Sequence, residues 1–229
     1  GWPLDEDFSK EYIDDVPSTP VWRGSDYLLF YGKGSVKWEY DSSSQTFVHT
    51  NNPYSLYGYY FVTDATPTND MTSVAQASGA STRITTYDDY LLHEQELVSV
   101  NQSGREFFGE DFSGARPRTI STFSSIPGIT GADGKVTMRF ISRINSGSGT
   151  ASLSINDSEL LDITIPSIQT VSSNVRSYTK AIPGTTTALW KGSKSEKNNV
   201  VVSYSSSGHT NVRLDYIRMQ FVRTLRPYG

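Results

Sequence analysis

The sequence has 229 residues, no cysteine, and a formal net charge of −4 from 20 basic and 24 acidic side chains. That length supports one large β domain or two small ones, and the missing thiol excludes disulfides, thiolate metal sites and cysteine catalysis within the chain. Scattered basic residues predict no nucleic-acid partner. No apolar run approaches the roughly 20 residues of a spanning helix, so no membrane insertion is expected.

Residues 1–20 are acidic and broken by Pro3, Pro17 and Pro20, which suits an extended lead-in. Gly1 in place of Met leads us to expect a trimmed piece of a larger parent. Residues 21–229 are then expected to form one β-sandwich region, with aromatic strands over 21–75, a loop and helical segment over 76–111, and the main strands over 112–229. Richness in Ser, Thr, Gly and Tyr favours such a sandwich over a helical bundle.

In the first stretch, residues 27–31 (YLLFY) are apolar on both sides, the pattern of a central strand. Residues 36–40 alternate, with Val36, Trp38 and Tyr40 on one face. Residues 41–44 turn the chain, residues 46–50 return, and residues 57–63 read as a strongly aromatic strand.

Residues 87–112 break the β pattern. Tyr90 with Leu97, and Leu91 with Val98, lie seven apart, and Asp88 suits a helix N-cap between Tyr87 and Leu92. A short helix near residues 88–98 is predicted. Gly104 offers its stop, and a charged, aromatic block follows at residues 105–110.

From residue 112 onward the pattern is consistently β, with strands expected at 119–126, 135–144, 151–155, 160–165, 178–182, 186–190, 199–205 and 211–222. Asn156-Asp157 is a hairpin signal. About eleven short strands with turn chemistry between them predict an all-β, jelly-roll-like sandwich of two sheets.

Candidate chemistry is sparse. His93-Glu94 lacks the second His at i+4 that a zinc-protease helix needs, and His49, His93 and His209 are far apart, so no metal site is assigned. Asp88-Asp89 and Glu110-Asp111 suit capping and pairing to Arg105, Arg116 or Arg118 better than calcium or acid–base work. No phosphate-binding loop or nucleophile elbow is present, so neither a cofactor nor a catalytic residue is named. Arg105, Glu106, Phe107, Phe108 and Glu110 form the one cluster read as a docking corner. The competing reading is a folded corner with its Phe rings in the core. Trp38 and Tyr57 are the candidate glycan platform of a carbohydrate-binding module, with Tyr54, Tyr59 and Tyr60 nearby.

The segment DDYLLHEQELVSVNQSGREFFGEDF resembles the signal-peptidase/sortases of the type IX secretion system, the PorU-like, gingipain-type cysteine peptidases. That family carries a DDY-x-x-HE stretch and a Ser-Gly-Arg-(Asp/Glu)-Trp-x-Gly-Glu block. Here the block runs from Ser103 to Glu110, with Phe107 at the usual Trp. Asp26 to Gly32, Trp38, Tyr40, Asp41, residues 57–61 and residues 214–217 match in the same order.

The resemblance implies a non-catalytic region ahead of a Cys-His peptidase domain, located outside the cytoplasm at the cell surface or outer membrane. Its implied partners are its own C-terminal peptidase domain, other secretion-system proteins and cargo. The implied parent removes the C-terminal signal of secreted cargo and helps transfer the cargo to a lipopolysaccharide anchor.

Overall fold

The structure is a computed structural model that describes residues 18–52, 55–64, 70–75, 78–79, 81–101, 104, 106–168, 181–191, 194–206 and 209–228. The chain divides into two units, Gly1–Arg83 and Ile84–Gly229.

The first unit pairs β1 (Val21–Arg23) with β2 (Leu28–Phe30), and β3 (Val36–Asp41) with β4 (Thr46–Asn51), both antiparallel. The β3–β4 turn is closed by Asp41, whose carboxylate accepts hydrogen bonds from the backbone N–H groups of Ser43 and Ser44. Residues 57–63 form no strand, contrary to their aromatic, strand-like composition. β2 is not a central strand either: Leu28, Leu29 and Phe30 are all exposed.

The second unit is a β-sandwich. Its strands are β5 (Thr86–Glu94), β6 (Arg118–Thr119), β7 (Gly134–Ile144), β8 (Ser148–Ile155), β9 (Ser158–Pro166), β10 (Ile182–Trp190), β11 (Val200–Ser205) and β12 (His209–Thr224). One antiparallel sheet has the order β10-β7-β12-β5 and the other β6-β11-β8-β9. Strand alternation fills the space between them. Val136, Met138 and Phe140 of β7 face Ala151 and Leu153 of β8, Ile163 and Ile165 of β9, and Val200 and Val202 of β11 in one core.

β12 changes face along its length. Val212 and Leu214 point into the core, and so do Ile217, Met219 and Phe221, an odd step further on. A bulge between Leu214 and Tyr216 accommodates the change, leaving Asp215 as the extra residue. A simple inward–outward alternation along the strand expected at residues 211–222 therefore holds only on each side of Asp215.

The helix predicted near residues 88–98 is instead the nine-residue strand β5, paired with β12 from Thr86↔Thr224 to Glu94↔Tyr216. Leu91 and His93 lie on the core side, opposite Met219 and Ile217, while Tyr90 and Leu92 take the outer face. A helix of about ten residues is marginal in water, and β12 presents a full-length edge to pair with, so tertiary pairing overrides the weak helical spacing. Leu97 is exposed, not buried. The one short helix among the described residues is a 3₁₀ turn at Ser121–Phe123, which carries Phe123 into the core.

Candidate docking corner

Residues 98–101 and 106–112, which follow β5, lie over the outer face of the β7–β12 sheet. Val98 and Phe108 form an isolated antiparallel bridge, with Phe108 N–H donating to Val98 O at 2.9 Å and Val98 N–H donating to Phe108 O at 3.1 Å. This places the Phe108 ring in a small second core with Val100, Ile141 and Ala181, fully out of water. Asn101 closes the cluster, since its Oδ1 accepts from Ala181 N–H at 3.0 Å. Phe107, beside it, is half-buried.

The charged residues of the corner are engaged with the sheet beneath. Arg139 on β7 donates from Nη2 to Glu106 at 2.8 Å and from Nη1 to Asp215, and its guanidinium lies 5.7 Å from the Phe108 ring centroid. Arg213 on β12 donates to the Gly109 carbonyl at 2.8 Å and sits 3.5 Å from Asp111. Gly109 N–H donates to Leu214 O at 2.7 Å, and a Cβ at Gly109 would come within 3.1 Å of Gln95, so a side chain would press on the neighbouring loop. Arg105 lies outside the described residues.

Glu110 turns to the other side of the corner. It meets His93 Nε2 at 2.6 Å, and His93 Nδ1 meets the Thr122 hydroxyl at 2.7 Å, with Phe123 edge-on to the imidazole. Burial raises the Glu110 carboxyl, but the His93 hydrogen bond and the charges of His93 and Arg118 outweigh it and leave the pKa below the ordinary value. Glu110 is therefore a carboxylate at neutral pH, so the Nε2 proton of His93 is the one donated. Its second oxygen is buried and has no partner among the described residues.

Asp215 is pushed up to about 7, by burial first and by Glu94 and Glu96 in addition, with Arg139 pulling the other way. Arg139 is raised: burial opposes, but Asp215 and Glu106 outweigh it. The fork of one guanidinium between two carboxylates favours the charged form, so we take Asp215 as a carboxylate that accepts a proton at unusually high pH.

The structure thus brings Glu106, Phe108 and Glu110 together, but it spends them on their own sheet. Among the described residues the acidic pairs find direct partners not foreseen from the sequence: Asp89 pairs with Arg223 at 2.8 Å, Asp111 with Arg213, and Glu110 with His93, while Arg118, as expected, adds its charge to Glu110 and Asp111. Arg139, Arg213 and Thr122 were not singled out from the sequence, because no local spacing links them to the corner. Asp215 did carry a signal, as the residue at which the apolar alternation of β12 changes parity.

The candidate glycan residues are both in the first unit. Trp38 is half-buried and packs across the β3–β4 pair on His49, with ring centroids 5.4 Å apart. Tyr57 is 69% exposed and meets Tyr59 edge-on at 6.5 Å. A depression of about 380 Å³ in the second unit, lined by Leu160, Leu189, Trp190, Glu159 and Lys191, contains none of the residues selected from the sequence. Among the described residues no group of three or more His, Asp or Glu is placed to hold a metal, and no helix is long and apolar enough to cross a membrane.

No family model matches the chain, and no curated protein does. Among solved structures, dimeric latent PorU from Porphyromonas gingivalis aligns with 100% of this chain at TM-score 0.78 and 31% identity. The match takes in 21% of PorU, so this chain spans about one-fifth of that protein's length. A pilus-forming endospore appendage from Bacillus aligns with 68% of the chain at TM-score 0.30 and 9% identity, too remote to bear on the fold. Throughout its length, this chain is a PorU-like region.

Proposed function

We propose that this chain is a non-catalytic, extracytoplasmic β-sandwich module of a type IX secretion sortase-like protein. It supports and docks a C-terminal cysteine peptidase domain that lies outside these 229 residues. The observation that carries the reading is the whole-chain likeness to one-fifth of PorU, in a chain with no cysteine to act as nucleophile. The parent's activity would be removal of a C-terminal signal from secreted cargo and transfer of the cargo to a lipopolysaccharide anchor, with cargo and secretion-system proteins as its partners.

Two measurements test this. The parent reading frame should encode a Cys- and His-bearing peptidase domain after residue 229. The purified 229-residue chain should bind that domain when the two are expressed separately, and should not cleave a cargo peptide. A frame without such a domain, or turnover of the peptide by this chain alone, overturns the reading.

A further inference from the structure

β9 and β10 meet at one side of the sandwich as a wedge. Each is the last strand of its sheet, β9 beside β8 and β10 beside β7, so each has one edge with no described strand paired to it. At the narrow end β10 rests directly on β9, where a Cβ at Gly184 would fall 2.5 Å from Ile163 Cγ2. At the wide end β9 carries a bulge. Leu161 pairs with Leu153 and Glu159 with Ser154, which leaves Leu160 as the extra residue. There the strands part into the depression of about 380 Å³, lined by Leu160, Leu189 and Trp190 and by Ser158, Glu159 and Lys191. That volume lies in the range of small-ligand sites, about 300–1,000 Å³.

We propose that this wedge binds a short extended peptide in which an apolar residue stands between a basic and an acidic one. Strand edges without a partner offer backbone N–H and C=O groups to an added extended chain. Glu159 on β9 and Lys191 just past β10 are both exposed, and neither side chain pairs with the other or with any described residue. An anion and a cation are therefore unspent at one opening, and complementarity requires a ligand that carries both signs. Leu189, 51% exposed, and Leu160 give the apolar contact. In an extended chain the middle side chain points away from its two neighbours, so it can enter the depression while both charges stay at the mouth. A sugar lacks its platform here. Trp190 is 6% exposed and the Lys194 ammonium lies 5.3 Å over its ring, so the indole is not free to stack a pyranose. The site belongs to the second unit alone and does not depend on the docking role proposed above.

The test titrates the 229-residue chain with acetyl-Lys-Leu-Glu-amide, with acetyl-Glu-Leu-Lys-amide and with cellobiose, followed by amide NMR and calorimetry. An added strand has a fixed backbone direction, so one tripeptide should bind several-fold tighter than the other, with a Kd on the order of 1 mM for so small a ligand. Its shifts should centre on residues 158–160 and 189–191. Glu159→Lys and Lys191→Glu should each weaken the better tripeptide about tenfold, an attraction replaced by a repulsion, with the thermal transition unchanged. The double exchange should reverse which tripeptide is preferred, an outcome that a damaged fold does not produce. Binding of neither tripeptide, or a preference that the double exchange leaves as it was, overturns the proposal. Cellobiose shifting the same amides assigns the depression to a sugar, and shifts that grow with the concentration of this chain alone assign it to a second copy; either overturns the peptide as its ligand.

Discussion

Truncating Phe108 to alanine separates a folded corner from a free one. The ring is completely out of water, enclosed by Val100, Ile141 and Ala181, with Arg139 over it. Phe→Ala in a close-packed core costs about 3–5 kcal/mol. This pocket belongs at the lower end, because the Val98–Phe108 bridge that closes it is an isolated one and can settle inward after truncation. The lost guanidinium–ring contact adds up to about 1 kcal/mol. We expect about 3–4 kcal/mol for Phe108→Ala. Half-buried Phe107 should cost about 1 kcal/mol, in proportion to the area it hides. For a domain of about 150 residues, the Phe108 loss lowers Tm by roughly 6–16 °C. The two units can unfold separately, so the measurement is native-state hydrogen exchange of β7 and β12 amides along a urea series. A loss below about 1 kcal/mol for Phe108→Ala, or a larger loss for Phe107→Ala, would refute the enclosed-ring account.

The acid limb of stability should carry Glu110: with its folded pKa below the unfolded 4.5, its contribution is present above pH 4.5 and is lost as pH falls through the folded value. Glu110→Gln should flatten that limb, and an unchanged slope between about pH 2 and 5 would count against the His93 pairing. Asp215 acts with the opposite sign: its contribution is complete below the unfolded value of 3.8 and is lost as pH rises through about 7, so Asp215→Asn should remove a decline between those limits. Gly134→Ala should disrupt the start of β7, because a Cβ there would lie 2.5 Å from the Gln220 carbonyl; circular dichroism and thermal melts would show it, and a wild-type Tm would contradict the packing.

The sandwich was legible because its evidence is periodic. Residues 135–144 alternate without interruption, and they form β7 with Val136, Met138 and Phe140 inward. What failed depended on partners distant in sequence. β5 reads as helix if only residues 87–98 are considered, since nothing within them reveals that β12 offers an edge for nine pairs. The corner was legible as a cluster but not as a filled one. Arg139 is 33 residues from Glu106 and Asp215 is 76 from Arg139, so only the fold shows that the charges are neutralised inward. The odd step from Leu214 to Ile217 was present in the sequence and identifies the bulge once alternation is tracked through it.

Residues 27–31 pose the opposite problem, since their pattern demands cover on two faces and the described residues of the first unit leave them 46–76% exposed. A strand apolar on both sides is ordinarily the middle of a sheet, yet β2 has one short partner and all three of its residues lie in the open. Selection for solubility works against such a strand unless it is covered in the working protein. The aromatic run at residues 57–62 behaves in the same way, forming no ladder and leaving Phe61 and Val62 almost wholly exposed. The corner at residues 105–110 looked like an interface because charge and aromatic residues are dense there, and density is what a self-contained ion-pair network also produces. Unspent apolar area distinguishes the two cases. By that criterion the corner is folded onto its own sheet, and the exposed apolar area among the described residues lies mainly in the first unit.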